Sequence, residues 1–335
     1  MLVTGATGFV GRNVLRSLGR RKGVELVAAC RTPAKLITEF GGEVRAGDLR
    51  DAGYRKSVVE DVDVICHTGT WGAFWGHEVQ EREYFFEPAQ DLIEQAIEAG
   101  ARRFLLASTV AIGDTPRARG PAGDFSSTRH TGFWPHLDRL VDIDQVMREQ
   151  SVRGTQMVTM RLGHFVGAGN ELGLVGALAS RLPTRLVPWI AGGQSRMPLV
   201  ADADIGEAFA LATLAEGLDA YESFNICGAE FPTAREVIDF IAAETGSPSP
   251  VYSVPFAAAH AFGWLMEQLH PVLPGKAPFL TRSLVHVARD WWCPTDYARR
   301  KVGYVPAKDW RIAAREALAE LAPKGYPWPP LAQAI

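Results

Sequence analysis

Through the first half of the chain, short apolar runs alternate with stretches in which apolar residues recur every three or four positions. A continuous apolar run suits a strand buried on both faces, and the three-to-four spacing gives a helix with one apolar stripe. Strands are therefore expected over residues 1–4, 25–30, 44–46, 62–67, 103–108, 156–161 and 223–227. Helices are expected over 11–21, 54–60, 83–99 and 139–150, with Leu92, Ile93, Ala96 and Ile97 showing the spacing. Regular alternation of the two predicts an α/β fold, a Rossmann doubly wound parallel sheet with helices on both faces.

Beyond residue 161 the rhythm loosens as Gly, Pro and Trp become frequent. The expected division is a Rossmann domain over residues 1–168, to which 198–228 return, and a smaller discontinuous substrate lobe made of 169–197 and 229–335. In that second part Thr233 is placed to cap a helix over 233–245. Gly303 ends a further helix, and Pro306 stops it.

Composition narrows the function classes. With 335 residues, 47% of them hydrophobic, the chain can bury a large core. Thirty-five basic against 38 acidic residues, net −3, give no general attraction to nucleic acid or anionic membrane, which leaves small-molecule chemistry. The longest apolar stretch, 251–273, is interrupted by Pro255, His260, Glu267 and His270 and falls short of the roughly 18 apolar residues of a membrane span. Cys30, Cys66, Cys227 and Cys293 form no CxxC pair, and the histidines form no HxxxH spacing, so no metal site is expected. The sequence opens on strand and glycine loop, so no signal segment is expected, and reduced thiols in a cytoplasmic protein are the expectation.

The strongest chemical signal follows the first strand. Thr4, Gly5, Ala6, Thr7, Gly8, Phe9, Val10 and Gly11 set glycines at Gly-x-x-Gly-x-x-Gly between a strand and a helix. A pyrophosphate needs backbone N–H groups at a helix N-terminus, and glycines let the backbone come close enough. Gly5, Thr7, Gly8, Phe9, Val10 and Gly11 are thus expected to hold a dinucleotide. The second strand ends in Cys30 and Arg31 with no acid to bind ribose hydroxyls, and a guanidinium there suits a 2′-phosphate. This favours NADP(H), with NAD(H) the alternative.

The loop resembles the TGxxGxxG of the extended short-chain dehydrogenase/reductase family, and the resemblance runs through most of the chain. Asp48 and Leu49 look like that family's adenine-contacting pair, and His67, Thr68 and Gly69 like the end of the fourth strand, which passes under the cofactor. The segment from Gly100 to Gly113 is similar to the strand that carries the catalytic Ser or Thr, with Thr109 the best match and Ser108 the alternative. Arg161 to Gly167 matches Arg-Pro-x-x-x-Tyr-Gly, which implies that His164 lies by the cofactor, and Phe224 to Gly228 matches Phe-Asn-x-Gly. Pro278 to Thr281 and Thr295 to Pro306 are similar to the 3β-hydroxysteroid dehydrogenase and dihydroflavonol reductase branch. The family also implies a homodimer formed through the helices at 83–99 and 139–150.

One expectation of the family fails on the sequence itself. Its acid/base Tyr and the Lys four residues on are missing: no Tyr occurs between Tyr84 and Tyr221, and no Lys between Lys56 and Lys276. Family spacing counted back from Arg161 puts His136 and Leu140 at the two positions, or Pro135 and Arg139 with a shift of one. Imidazole can exchange protons near neutral pH, which makes His136 a candidate acid/base; the plain alternative is a polar residue where a loop enters a helix. Phe85 stands where the family has a stabilising Asn. Trp71, Phe74 and Trp75 follow the fourth strand and suit an apolar or aromatic substrate. Three readings follow: an oxidoreductase with an altered proton relay, a regulatory or assembly protein that keeps the cofactor without turnover, and, least supported, a sugar-nucleotide epimerase or dehydratase.

Overall fold

The apolar runs of the first half do assemble into one parallel sheet. The computed structural model describes residues 1–113, 123–170, 173–272, 278 and 280–328. Its strands are β1 Leu2–Thr4, β2 Val27–Cys30, β3 Glu43–Ala46, β4 Val64–His67, β5 Arg103–Thr109, β6 Gln156–Leu162, β7 His164–Val166, β8 Trp189–Ile190, β9 Leu199–Ala201, β10 Tyr221–Ile226 and β11 Ser253–Val254. Seven of them form a sheet in the order β10-β6-β5-β4-β1-β2-β3, every pair parallel. This is the expected α/β Rossmann sheet. The chain runs outward from β1 in one direction and then from β4 in the other, so the crevice between the ends of β1 and β4 is the topological switch point.

The helices are α1 Phe9–Gly19, α2 Ala52–Val58, α3 Glu78–Glu81, α4 Glu87–Glu98, α5 Pro135–Gln150, α6 Leu174–Arg181, α7 Asp202–Leu214, α8 Ala234–Thr245, α9 Phe256–Leu269, α10 Arg282–Val287, α11 Asp296–Val302 and α12 Trp310–Leu321. Alternate residues along each strand feed two cores. Val3, Cys66, Leu105 and Ala107 bury against α1 and α7. Leu2, Ile65, Phe104 and Leu106 bury against α2, α4 and α5. A third core unites β7 and β9 with α6, α8 and α12 through Val166, Val175, Leu199, Val237, Ile241 and Trp310.

Boundaries depart from the sequence reading in ways that matter for the site. The helix expected from 139 begins at Pro135, because proline suits the first helical position and the Asp138 carboxylate accepts from the N–H groups of Thr131 (2.6 Å) and Gly132 (3.0 Å). The helix expected from 83 is entered through α3 and a π-turn over Arg82–Phe86. Helices α6, α7, α9, α10 and α12 carried no prediction of their own. Thr233 caps α8 in a reciprocal capping box with Glu236, and Gly303 ends α11 at φ 74°. Phe279 of the tail motif lies outside the described residues. Among the described residues no helix is long and apolar enough to cross a membrane.

Helices α1 and α7 touch backbone to backbone. A Cβ on Gly206 would lie 2.8 Å from Ser17 Oγ and closer still to the carbonyl oxygen of Asn13. Gly206→Ala should therefore lower stability by about 1–3 kcal/mol. A fall in the urea midpoint with unchanged slope is the expected result, and an unchanged midpoint would show that the helices separate freely.

Candidate active site

The switch-point crevice is built from glycine. Gly5 has φ 64°, and a Cβ on it would stand 2.5 Å from Gly69 Cα, so the loop after β1 and the exit of β4 meet backbone to backbone. Gly11 is equally enclosed: its Cβ would lie 2.8 Å from Thr68 Oγ1 and nearer still to the Gly5 carbonyl oxygen. Thr68 Oγ1 donates to Thr4 O at 2.7 Å and locks the two strand ends together. Gly8 differs, since a Cβ there would meet only Gly5 O, at 3.2 Å, on an exposed edge. Gly8 is also the N-cap of α1 and offers no side chain to the first-turn N–H groups, among them those of Phe9 and Val10. An anion at this edge would satisfy them. Arg12, which sequence reasoning missed, donates to Thr7 O at 3.2 Å and adds a cation beside the loop.

Toward the ends of β2 and β3 lie Arg31, Asp48 and Leu49. Arg31 is exposed and close enough to Asp48 to help hold that carboxyl below its usual range, though the main cause is the hydrogen bond from Arg50. Arg50 grips Asp48 through Nη2 (2.6 Å) and Nε (3.0 Å). These groups fit the adenosine half of a dinucleotide, and the glycine edge fits its pyrophosphate.

Two predicted histidines turn inward. His67 shares a 2.7 Å hydrogen bond between Nδ1 and Thr4 Oγ1, and its Nε2 is buried without a partner among the described residues. His164 bonds the backbone of Val287 and likewise leaves Nε2 orphaned. Burial pushes both rings down to about 4. His286 on α10 is also pushed down to about 4, mainly by burial, and its ring bonds the backbone of Ala111.

The two predicted hydroxyls face opposite sides. Ser108 continues the series Phe104 and Leu106 on the α5 side of the sheet, where its Oγ is buried without a partner among the described residues. Thr109 sits at the strand end, and its Oγ1 accepts from Ala111 N at 3.2 Å. The turn it caps, Val110–Ile112, packs against α5.

His136 lies in the first turn of α5, and the structure gives it a partner that the sequence did not suggest. Its Nδ1 is 2.9 Å from Oε2 of Glu81, the last residue of α3. Glu81 is fully buried, and its Oε1 accepts from Ala73 N at 2.7 Å. The ring lies on Gly72, where a Cβ would come within 2.8 Å of it, and Phe85 flanks it at 5.5 Å. Nε2 has no partner among the described residues. Only Thr70 and Trp71 separate Gly72 from Gly69, so the imidazole borders the loop that leaves the crevice.

Aromatic residues and α10 cover this region. Trp134 stacks on Phe74 at 5.5 Å and donates from Nε1 to Ala73 O at 2.8 Å. Trp71 is buried, whereas Trp75 packs against His270. From α10, Ser283 Oγ donates to Phe74 O, and His286 lies between the rings of Trp134 and Trp291.

Residues 1–227 match the NAD dependent epimerase/dehydratase family. The chain belongs to that family. It is 26% identical over 332 residues to the 2-alkyl-3-oxoalkanoate reductase of Stenotrophomonas maltophilia (strain K279a), covering 96% of this chain and 98% of the relative. The 3 beta-hydroxysteroid dehydrogenase/Delta 5-->4-isomerase of Mycobacterium tuberculosis (strain ATCC 25618 / H37Rv) is 25% identical over 341 residues, covering 96% and 89%. Among solved structures, gox2253 superposes with a TM-score of 0.77 at 21% identity, covering 97% of this chain and 98% of that one, and it speaks for the fold.

Members of the epimerase/dehydratase family bind NAD(P), and the glycine crevice of this member fits that group. Leu140, one turn after His136, is buried and apolar, so no ammonium stands there. Arg139 is spent elsewhere: it bonds Asp142 at 2.6 Å and lies over the Phe86 ring.

Three buried histidines held near 4 make the fold sensitive to acid. Each starts from 6.5, so the unfolded chain binds more protons between about pH 6.5 and 4, and stability is lost as pH falls through that window. Asp124, raised from 3.8 to about 6 mainly by burial, acts in reverse and loses its contribution as pH rises through that range. Asp204, raised mainly by burial, sides with Asp124, and His260, lowered mainly by burial, with the histidines; four against two leaves a net loss toward acid, on the order of 1 kcal/mol for each of the three buried rings. Urea midpoints should be lower at about pH 5 than at about pH 7, and equal midpoints would mean the rings are not held neutral.

Proposed function

We propose that this family member is an NADP(H)-dependent oxidoreductase that reduces a carbonyl, or oxidises the matching secondary alcohol, of an apolar small molecule. The observation that carries the reading is the His136 imidazole, paired on Nδ1 with buried Glu81 and unpaired on Nε2, beside the loop that leaves the cofactor crevice. Residues 1–168 and 198–228 would hold the dinucleotide, and residues 169–197 and 229–335 would supply the substrate side. On the cofactor, Gly5, Thr7, Gly8, Phe9, Val10 and Gly11 would bind pyrophosphate, Asp48 and Leu49 adenine, and Arg31 the 2′-phosphate. Thr68 and Gly69 would contribute backbone, as would His67 and His164, whose rings turn inward.

When bound, the reduced nicotinamide supplies a hydride to the carbonyl carbon. His136 gives the proton on Nε2 to the carbonyl oxygen and regains it from solvent; in the reverse direction it takes the alcohol proton. Ser108 donates a hydrogen bond to that oxygen, since its hydroxyl is the unpartnered one on the α5 side, and Thr109 shapes the turn beside it. Two relatives are named for a 2-alkyl-3-oxoalkanoate and for a 3 beta-hydroxysteroid, and the aromatic side chains here suit alkyl and ring skeletons of that kind.

The test is titration with NADPH and NADH by fluorescence, followed by loss of reduced-nicotinamide absorbance with long-chain β-keto esters and steroid ketones. Oxidation of the cofactor by any of these supports the enzyme; tight binding without oxidation by any apolar ketone moves the protein to a sensing or assembly role. His136→Gln should cut kcat by about 10²-fold or more with cofactor affinity unchanged. Full activity in that variant removes the imidazole from the reaction. Arg31→Glu should move the preference from NADPH toward NADH, and an unmoved preference shows that Arg31 does not meet the 2′-phosphate.

A further inference from the structure

We infer that Glu81 is the positioning residue of this site, fixing which nitrogen of His136 carries the hydrogen and which way the ring points. The inference rests on the reading of His136 as the acid/base group. A carboxylate only accepts hydrogen bonds, so the contact at 2.9 Å requires the hydrogen on Nδ1 and leaves Nε2 as the nitrogen that exchanges protons with substrate.

The surroundings leave the pair no second arrangement. Glu81 is fully buried, and its other oxygen is taken by the Ala73 N–H at 2.7 Å. The carbonyl of that same alanine accepts from Trp134 Nε1, two residues before His136, so the peptide that holds the carboxylate is tied to the helix that carries the imidazole. Gly72 and Phe85 bound the ring on its remaining sides. A buried carboxylate is costly unless each oxygen is satisfied, and here both are, one by backbone and one by imidazole. Nε2 has no partner among the described residues, and 17% of the side chain stays exposed.

Glu81→Gln separates a positioning role from a packing role. Glutamine keeps the volume but has one acceptor oxygen. With that oxygen held by Ala73 N–H, its amide N–H₂ faces Nδ1, which must then accept, and the neutral ring is forced to carry its hydrogen on Nε2. In the NADP⁺-bound protein, at a pH alkaline enough for the ring to be neutral, long-range ¹H–¹⁵N spectra, with His136 assigned by its loss in His136→Gln, should show the hydrogen on Nδ1 and a bare Nε2 in the wild type, and the hydrogen on Nε2 in Glu81→Gln. With the ketone that the panel reduces, kcat should fall roughly 10²- to 10⁴-fold while KM changes by less than about threefold. Glu81→Asp, which keeps two acceptor oxygens, should restore the wild-type tautomer and part of kcat.

Wild-type tautomer and kcat in Glu81→Gln overturn the positioning role while leaving His136 as acid/base. A neutral wild-type ring with its hydrogen on Nε2 and a bare Nδ1 overturns it without any variant, which covers the case in which Glu81→Gln does not fold. Full activity of His136→Gln is the separate result that removes the underlying reading.

Discussion

The backbone contact between Gly5 and Gly69 is the constraint on which the rest of the site depends. A Cβ on Gly5 would drive β1 and β4 apart, one on Gly69 would crowd Gly5 N at 3.2 Å, and Gly11 is packed as tightly as Gly5, beneath Thr68. That three-way approach aims the N-terminus of α1 along the crevice, with Gly8 left open at its edge. It also fixes where the chain leaves β4. Two residues beyond Gly69 the chain reaches Trp71, and Gly72 then forms the floor on which His136 lies. Phosphate loop and imidazole are thus registered to each other through a few residues of backbone rather than through long side chains.

Helix α5 is held to the same standard along its length. Asp138 ties the loop before α5 to its first turn, and Asp144 is buried two turns later, where it accepts from Tyr221 Oη at 2.6 Å and Thr159 Oγ1 at 2.8 Å. Arg161, itself buried, sits 3.8 Å from the same carboxylate and donates to Ser126. A buried acid with this many partners fixes helical register, because a one-residue slip would leave it unpaired in an apolar core. His136 and buried Leu140 are therefore set by the same register that places Asp144.

The fold and the cofactor crevice were legible because they rest on local signals: apolar runs at strand length, glycines at fixed offsets, and a helix directly after them. The proton-transfer site was legible only as an absence. His136 could be named by counting, but Glu81 stands in a polar stretch, His77 to Glu81, that reads as a solvated helix face. Its one clue is spacing, since Glu81, Phe85 and Ala89 fall four apart and the latter two are buried. An acid on an apolar stripe signals a buried partner, but the partner lies 55 residues away in sequence, across the sheet strand β5. The inward turn of His67 and His164 was likewise decided by tertiary neighbours, Thr4 and Val287.

On the proposed reading, exchanging a phenol and an ammonium for an imidazole and a carboxylate changes the charge of the site as well as its proton donor. The Tyr and Lys pair of the resembled family goes from one positive charge to none as it gives up its proton. The His136 and Glu81 pair goes from none to one negative charge, so it stays one unit more negative throughout, and buried Leu140 adds nothing to offset this. Oxidised nicotinamide is a cation, and a more negative surround favours it over the neutral reduced ring. The exchange therefore tilts the site toward giving up hydride, the direction of carbonyl reduction. It also removes the ammonium that grips the ribose, which leaves retention of the cofactor to its phosphate end, where Gly8, Arg12 and Arg31 stand.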